Sequence, residues 1–84
     1  MAALLKPSEA AELLGLSRPT ITRYMQARDF ADRISGGEDV EVPAGLAPYL
    51  AYNFPRPLIF GPRNFRIPAD ELAAWVESRR RSFP

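Results

Sequence analysis

Gly15-Leu16-Ser17-Arg18-Pro19 is the stretch that most restricts the folds open to this chain, because one helical pattern stops there and another starts within about four residues. Ahead of it, PSEAAELL from Pro7 to Leu14 places proline at a first-turn position and Glu9 where the helix dipole favours negative charge, with strong helix formers after them. Gly15 admits a positive φ and Leu16 can fold back onto the last turn, which predicts a Schellman-type stop. Ser17 then offers a hydroxyl to a backbone N–H of the next helix, and Pro19 falls within the first turn, where proline is tolerated. The expectation is a helix, a glycine turn and a second helix.

In that second helix Ile21, Tyr24 and Met25 fall at i, i+3 and i+4 and form one apolar face. At about 100° per residue, Pro19, Thr22, Arg23 and Gln26 project the other way, so the outward face is polar and basic. Two readings fit this pattern. One is a helix-turn-helix whose second helix is free to enter the DNA major groove, and the other is a plain helical hairpin with a solvated polar face.

The chain has 84 residues, enough for one core and too few for two, so a single domain spanning residues 1–84 is expected. It has no cysteine and no histidine, which removes disulfides, thiolate metal sites and the commonest general base. Neither an enzyme nor a cofactor or small-molecule substrate is expected. With 46% apolar and 25% charged residues the composition is that of a folded protein, and nine prolines promise fixed bends. Met1-Ala2-Ala3-Leu4-Leu5 is too short for a signal-peptide core, and no apolar run reaches the roughly eighteen residues of a membrane span. A cytoplasmic location follows as an expectation.

The net charge is only +1, so any case for a polyanionic partner rests on where the charges sit. Arg18, Arg23, Arg28 and Arg33 lie in one segment and Arg56, Arg63 and Arg66 in another, with Glu38, Asp39 and Glu41 between them. Ser35-Gly36-Gly37 ends the helical pattern. Beyond it Val40-Glu41-Val42-Pro43 suits a short strand, and GLAPYLAYN suits one helical turn or a packed loop. The three acids would be repelled by phosphate; they lack histidine support for a divalent metal and read as a solvated loop.

RPLIFGPRNFRIP contains two β-prone runs, Leu58-Ile59-Phe60 and Phe65-Arg66-Ile67, separated by the turn formers Gly61-Pro62-Arg63-Asn64. A hairpin with a four-residue loop is predicted. Pairing Phe60 with Phe65 and Leu58 with Ile67 gathers four apolar side chains on one face, puts Arg66 on the other and leaves Arg63 and Asn64 at the tip. Pro68-Ala69-Asp70-Glu71 opens a last helix with a Leu72, Trp75, Val76 stripe, in which Trp75 reads as a core anchor. Arg79, Arg80 and Arg81 suit its C-terminal dipole, and Ser82-Phe83-Pro84 reads as a frayed end.

Two stretches, LLKPSEAAELLGLSRPTITRYM and FRIPADELAAWVESRR, together resemble the excisionase-like branch of the MerR-type winged helix-turn-helix superfamily. The resemblance implies an α+β fold of three helices plus a two-stranded β-hairpin wing. It implies a recognition helix at about residues 17–28, with Ser17, Arg18, Thr20, Thr22 and Arg23 meeting bases or phosphates; Pro19 and Gln26 share its outward face. It places Arg63, Asn64 and Arg66 of the wing, at about residues 56–67, on the backbone or the neighbouring minor groove. The partner implied is double-stranded DNA, with further copies on adjacent sites, a recombinase or another protein beside it, and no membrane. The roles implied are excisionase or small transcriptional regulator of a phage or mobile element, with the DNA-recognition part of a phage small terminase as a rival. A rival from another class is a protein-interaction module using the apolar side chains Leu46, Tyr49, Leu50, Tyr52 and Phe54. Against the family pattern, Lys6 stands where a Ser or Thr cap is common, a loss of about 1 kcal/mol unless another group supplies the cap. Residues at about 35–55 form an atypical insertion.

Overall fold

A computed structural model describes residues 3–82, and its elements are β1 (Leu4–Leu5), α1 (Pro7–Leu14), α2 (Arg18–Ser35), a 3₁₀ helix (Ala47–Tyr52), β2 (Leu58–Gly61), β3 (Asn64–Pro68) and α3 (Ala69–Ser82). The architecture is α+β, with four helices, the 3₁₀ helix included, and a three-stranded antiparallel sheet in the order β1-β3-β2. The expectation of three helices and a two-stranded hairpin is corrected by a third strand and by the 3₁₀ helix, which forms within GLAPYLAYN, the stretch suited to one helical turn or a packed loop. Leu4–Leu5 adds a strand to β3, pairing Leu4 with Pro68 and Leu5 with Ile67. Two residues carry too little pattern to be read as a strand in advance; the apolar contact of Leu5 with the core holds them there. Of the expected frayed end, Ser82 closes α3, while Phe83 and Pro84 lie outside the described residues.

The corner at Gly15 forms through local hydrogen bonds. Gly15 sits at φ 67°, its N–H donates to Glu12 O at 3.3 Å, and Leu16 N–H donates to Ala11 O at 2.9 Å, the paired bonds of a Schellman stop. The Ser17 hydroxyl accepts from Thr20 N–H at 3.3 Å and caps α2. At the start of α1 the missing Ser/Thr cap is offset from the other side, since the Glu9 carboxylate accepts the Lys6 N–H at 2.8 Å. Pro7 follows at the first position, where no N–H is needed.

α2 runs to Ser35 and stops where Ser35-Gly36-Gly37 ends the helical pattern, so it continues past the stretch at about 17–28 implied as the recognition helix. Its C-terminal half is held by ion pairs one turn apart, Arg28 with Asp32 and Asp29 with Arg33. A second glycine stop, with Gly37 at φ 88° and Glu38 N–H donating to Arg33 O at 3.0 Å, ends it. Residues 38–43 follow without regular structure, so the short strand expected at Val40–Pro43 does not form.

The core gathers Ala10 and Ala11 of α1, Ile21 and Met25 of α2, Phe54, Ile67 of β3 and Leu72 of α3, with Leu5, Leu14, Tyr24, Phe65 and Trp75 packed against it. The segment at 35–55 contributes directly: Leu46 and Phe54 are buried, and the 3₁₀ helix lies along α2. Tyr24 is the centre of that contact. Its ring lies 5.1 Å from Tyr49, 5.7 Å from Tyr52, 5.4 Å from Trp75 and, stacked, 5.2 Å from Phe54, and aromatic pairs of this kind add about 0.5–1.5 kcal/mol each beyond burial. Trp75 Nε1 donates to Tyr52 O at 2.7 Å, tying α3 to the 3₁₀ helix as well.

The hairpin pairs one residue out of the expected register. Leu58 faces Arg66, Ile59 faces Phe65 and Gly61 faces Asn64, leaving Phe60 as a bulge. The tip is only Pro62-Arg63, with Asn64 already in β3. Ile67 is fully buried and pairs with Leu5 across the other edge of β3, while Leu58 stays exposed. Strand alternation then puts Ile59, Phe65, Ile67 and Leu5 on one face, and Leu58, Arg66, Pro68 and Leu4 on the other.

Candidate nucleic-acid interface

From Leu13 to Arg28 the chain contains no acidic residue, and the turn delivers this stretch to the surface as the capped start of α2. Pro19, Thr22, Arg23 and Gln26 are all exposed, as the helical spacing predicts, and Ser17 and Arg18 are exposed as well. Thr20 is half-buried, and its hydroxyl lies 2.8 Å from Ser17 Oγ, so these two hydroxyls are engaged in the cap. Arg18 and Arg23 enter no ion pair among the described residues. Nine residues of helix from Arg18 to Gln26 rise about 13 Å, a length that fits across a DNA major groove about 12 Å wide.

The hairpin stands beside this helix. A groove of about 630 Å³ lies between α2 and the hairpin, bordered on α2 by residues from Thr22 to Arg33, Asp29 and Asp32 among them, and on the sheet by Ile59 and Phe65. Arg63 is exposed at the tip and takes φ 63°, the left-handed conformation. Proline followed by a positive φ is the sequence of a type II turn, whose second central position ordinarily takes Gly or Asn. An arginine there costs on the order of 1 kcal/mol in backbone strain. Asn64 is exposed in β3 next to it. Arg66 is half-buried, donates to Phe65 O at 2.8 Å and lies on the sheet face away from Ile59 and Phe65. Of the three hairpin residues expected to act together, Arg63 and Asn64 are thus close neighbours, and Arg66 points elsewhere.

Other arginines are engaged within the fold. Asp32 accepts from Arg56 Nε at 2.9 Å and Nη2 at 3.1 Å, and from Arg28 Nε at 3.1 Å. Arg28 Nη1 also donates to Phe54 O at 3.3 Å. The hydrogen bonds from Arg56, helped by the charge of Arg28, hold the Asp32 carboxyl below its ordinary value, and the same contact raises Arg56. Arg79 lies 4.6 Å over the Tyr52 ring. Burial pushes the Tyr24 phenol up, and the neighbouring phenols of Tyr52 and Tyr49 add to the shift. The Asp32 network was not legible in the sequence beyond the Arg28–Asp32 spacing, because Arg56 reaches Asp32 from twenty-four residues away. Glu38, Asp39 and Glu41 stay exposed, and among the described residues no group of acids that could hold a metal ion forms.

No protein-family model matches this chain, and comparisons with curated proteins and with solved structures give no match. Among the described residues no helix is long and apolar enough to cross a membrane.

Proposed function

We propose that this chain is a small winged helix-turn-helix protein that binds double-stranded DNA, with the N-terminal half of α2 in the major groove and the β2–β3 hairpin as its wing. The observation that carries this reading is the division among the arginines. Arg18 and Arg23 are exposed, and enter no ion pair among the described residues, on an acid-free stretch of helix beside a hairpin that strains its backbone to hold Arg63 at its tip. Arg18, Thr22, Arg23 and Gln26 can reach base edges, where each good bidentate contact discriminates by about 1–3 kcal/mol, while Arg63 and Asn64 meet phosphate or the minor groove. Ser17 and Thr20 act by capping the helix and aiming its N-terminal N–H groups at a phosphate. The function is contact without catalysis, and the role is that of an excisionase or a small regulator in the cytoplasm of a cell carrying a phage or mobile element. Burial of Leu46 and Phe54, with Tyr49 and Tyr52 packed on Tyr24, turns the apolar residues of 35–55 inward and weighs against their being a partner surface.

Fluorescence anisotropy against a panel of duplexes, titrated with salt, tests this. Salt-sensitive binding is expected, with Arg23→Ala altering the preference among sequences and Arg63→Ala weakening binding to all sequences alike, with a salt slope about one unit shallower. A folded protein that binds no duplex at low salt refutes the reading.

A further inference from the structure

Leu58, Ile59 and Phe60 are three adjacent large apolar side chains on β2, exposed to 42%, 67% and 65%. β2 is an edge strand, and an apolar edge ordinarily invites pairing with another chain. Here that route is blunted, since β2 has four residues, lies between Pro57 and Pro62, and is interrupted by the bulge. The side chains, rather than the backbone edge, are therefore what the exposure presents. Leu58 and Ile59 each border a cleft between the hairpin and the helices, whereas Phe60 borders neither. Phe60 is the residue released by the register slip, and a bulge is a device for re-aiming a side chain.

Residues 42–69 contain Arg56, Arg63 and Arg66 and no acidic residue. Arg56 is engaged by Asp32 and Arg66 by Phe65 O, which leaves Arg63, three residues on from Phe60 at the hairpin tip, exposed and in no ion pair among the described residues. An exposed phenyl ring on a hairpin whose tip carries an exposed arginine complements a groove with phosphate walls and a floor of stacked bases. An apolar protein surface would leave that charge unmatched.

We propose that Phe60 is a wedge: with the hairpin over the minor groove, its ring enters between two base pairs, opens that step and bends the duplex toward the major groove while Arg63 holds a flanking phosphate. This rests on the DNA-binding reading above and adds to it a specificity that no polar side chain supplies, a preference for easily unstacked pyrimidine–purine steps under the wing.

The test uses duplexes recovered by the protein from a randomised library, carrying 2-aminopurine at a pyrimidine–purine step and a fluorescent donor and acceptor at the ends. Binding of the wild type is expected to raise the 2-aminopurine signal and shorten the end-to-end distance. Phe60→Ser should fold with an unchanged unfolding midpoint, lose both signals and bind about tenfold more weakly, while Phe60→Leu keeps them. A bound Phe60→Ser that bends and unstacks DNA as the wild type does overturns the wedge and leaves DNA binding standing. Conversion of a dimer to a monomer by Phe60→Ser, seen by sedimentation with the bend unchanged, also overturns it, in favour of a subunit contact. Failure of the wild type to recover any duplex overturns the wedge together with the reading on which it rests.

Discussion

The two halves of α2 use the same residue type in opposite ways. From Arg18 to Gln26 the arginines are exposed and enter no ion pair among the described residues, and the one buried face packs on α1 and the core. From Ala27 to Ser35 each arginine meets an acid, Arg28 with Asp32 and Arg33 with Asp29, and Arg56 closes on Asp32 from the far side of the loop. A positive net charge of +1 therefore conceals a local surplus, because pairing removes charge from one end of the helix and leaves it displayed at the other. Arginine content alone says little about a binding face; the acids within reach decide which arginines are available to a ligand.

The sharpest way to break this contrast is to remove what the C-terminal half supports. Phe54 is 1% exposed, stacks on Tyr24 and accepts Arg28 through its carbonyl, so Phe54→Ala should lose about 3–5 kcal/mol in chemical denaturation. If stability held and only DNA binding fell, the segment at 35–55 would belong to the interface instead of the core.

Asp32→Asn is the next largest, at about 1–2 kcal/mol from weakened charge-assisted bonds, discounted for the partial exposure of the pair. Because the folded carboxyl titrates below its ordinary 3.8, the Asp32 contribution is fully present above that pH and is lost as pH falls through the folded value. The stability difference between wild type and Asp32→Asn should thus be constant near neutrality and shrink in acid below about pH 4. The variant also frees Arg28 and Arg56, so its non-specific DNA affinity at low salt should rise; a fall in a folded variant would erase the distinction between the halves.

Arg63→Gly gives the smallest effect. Relief of the left-handed arginine outweighs the added flexibility of glycine by about 0.5–1 kcal/mol, so the thermal midpoint should rise while affinity for every duplex falls. A residue that destabilises its own turn and strengthens binding would extend the contrast from the helix to the hairpin. Unchanged affinity would make the tip arginine incidental.

Much of the corner was legible because its signals are local. Gly15, Ser17 and the Ile21, Tyr24, Met25 spacing act within one turn of chain, and each takes the role that its chemistry favours. Trp75 anchors the core for the same reason, as part of a helical stripe. The hairpin was legible as a hairpin and not in its register, because residue types allow more than one pairing and the choice depends on which side chain the core takes. The candidate site followed the same division. The exposure of Thr22, Arg23 and Gln26 came from helical spacing, whereas nothing in the spacing showed that Arg18 would be exposed, that Arg66 would turn away from the groove or that Phe60 would be left outside.

By itself, the order of amino acids determined where helices start and stop, which face of α2 is apolar and that the chain folds without disulfides, since these depend on contacts a few residues apart or on composition. Only the tertiary structure decided that Leu4–Leu5 becomes a strand, that Phe54 fills the core and that Arg56 closes on Asp32. Each of those outcomes joins residues far apart in the chain, where burial and charge pairing compete among several partners and the winner depends on the space that the rest of the fold leaves.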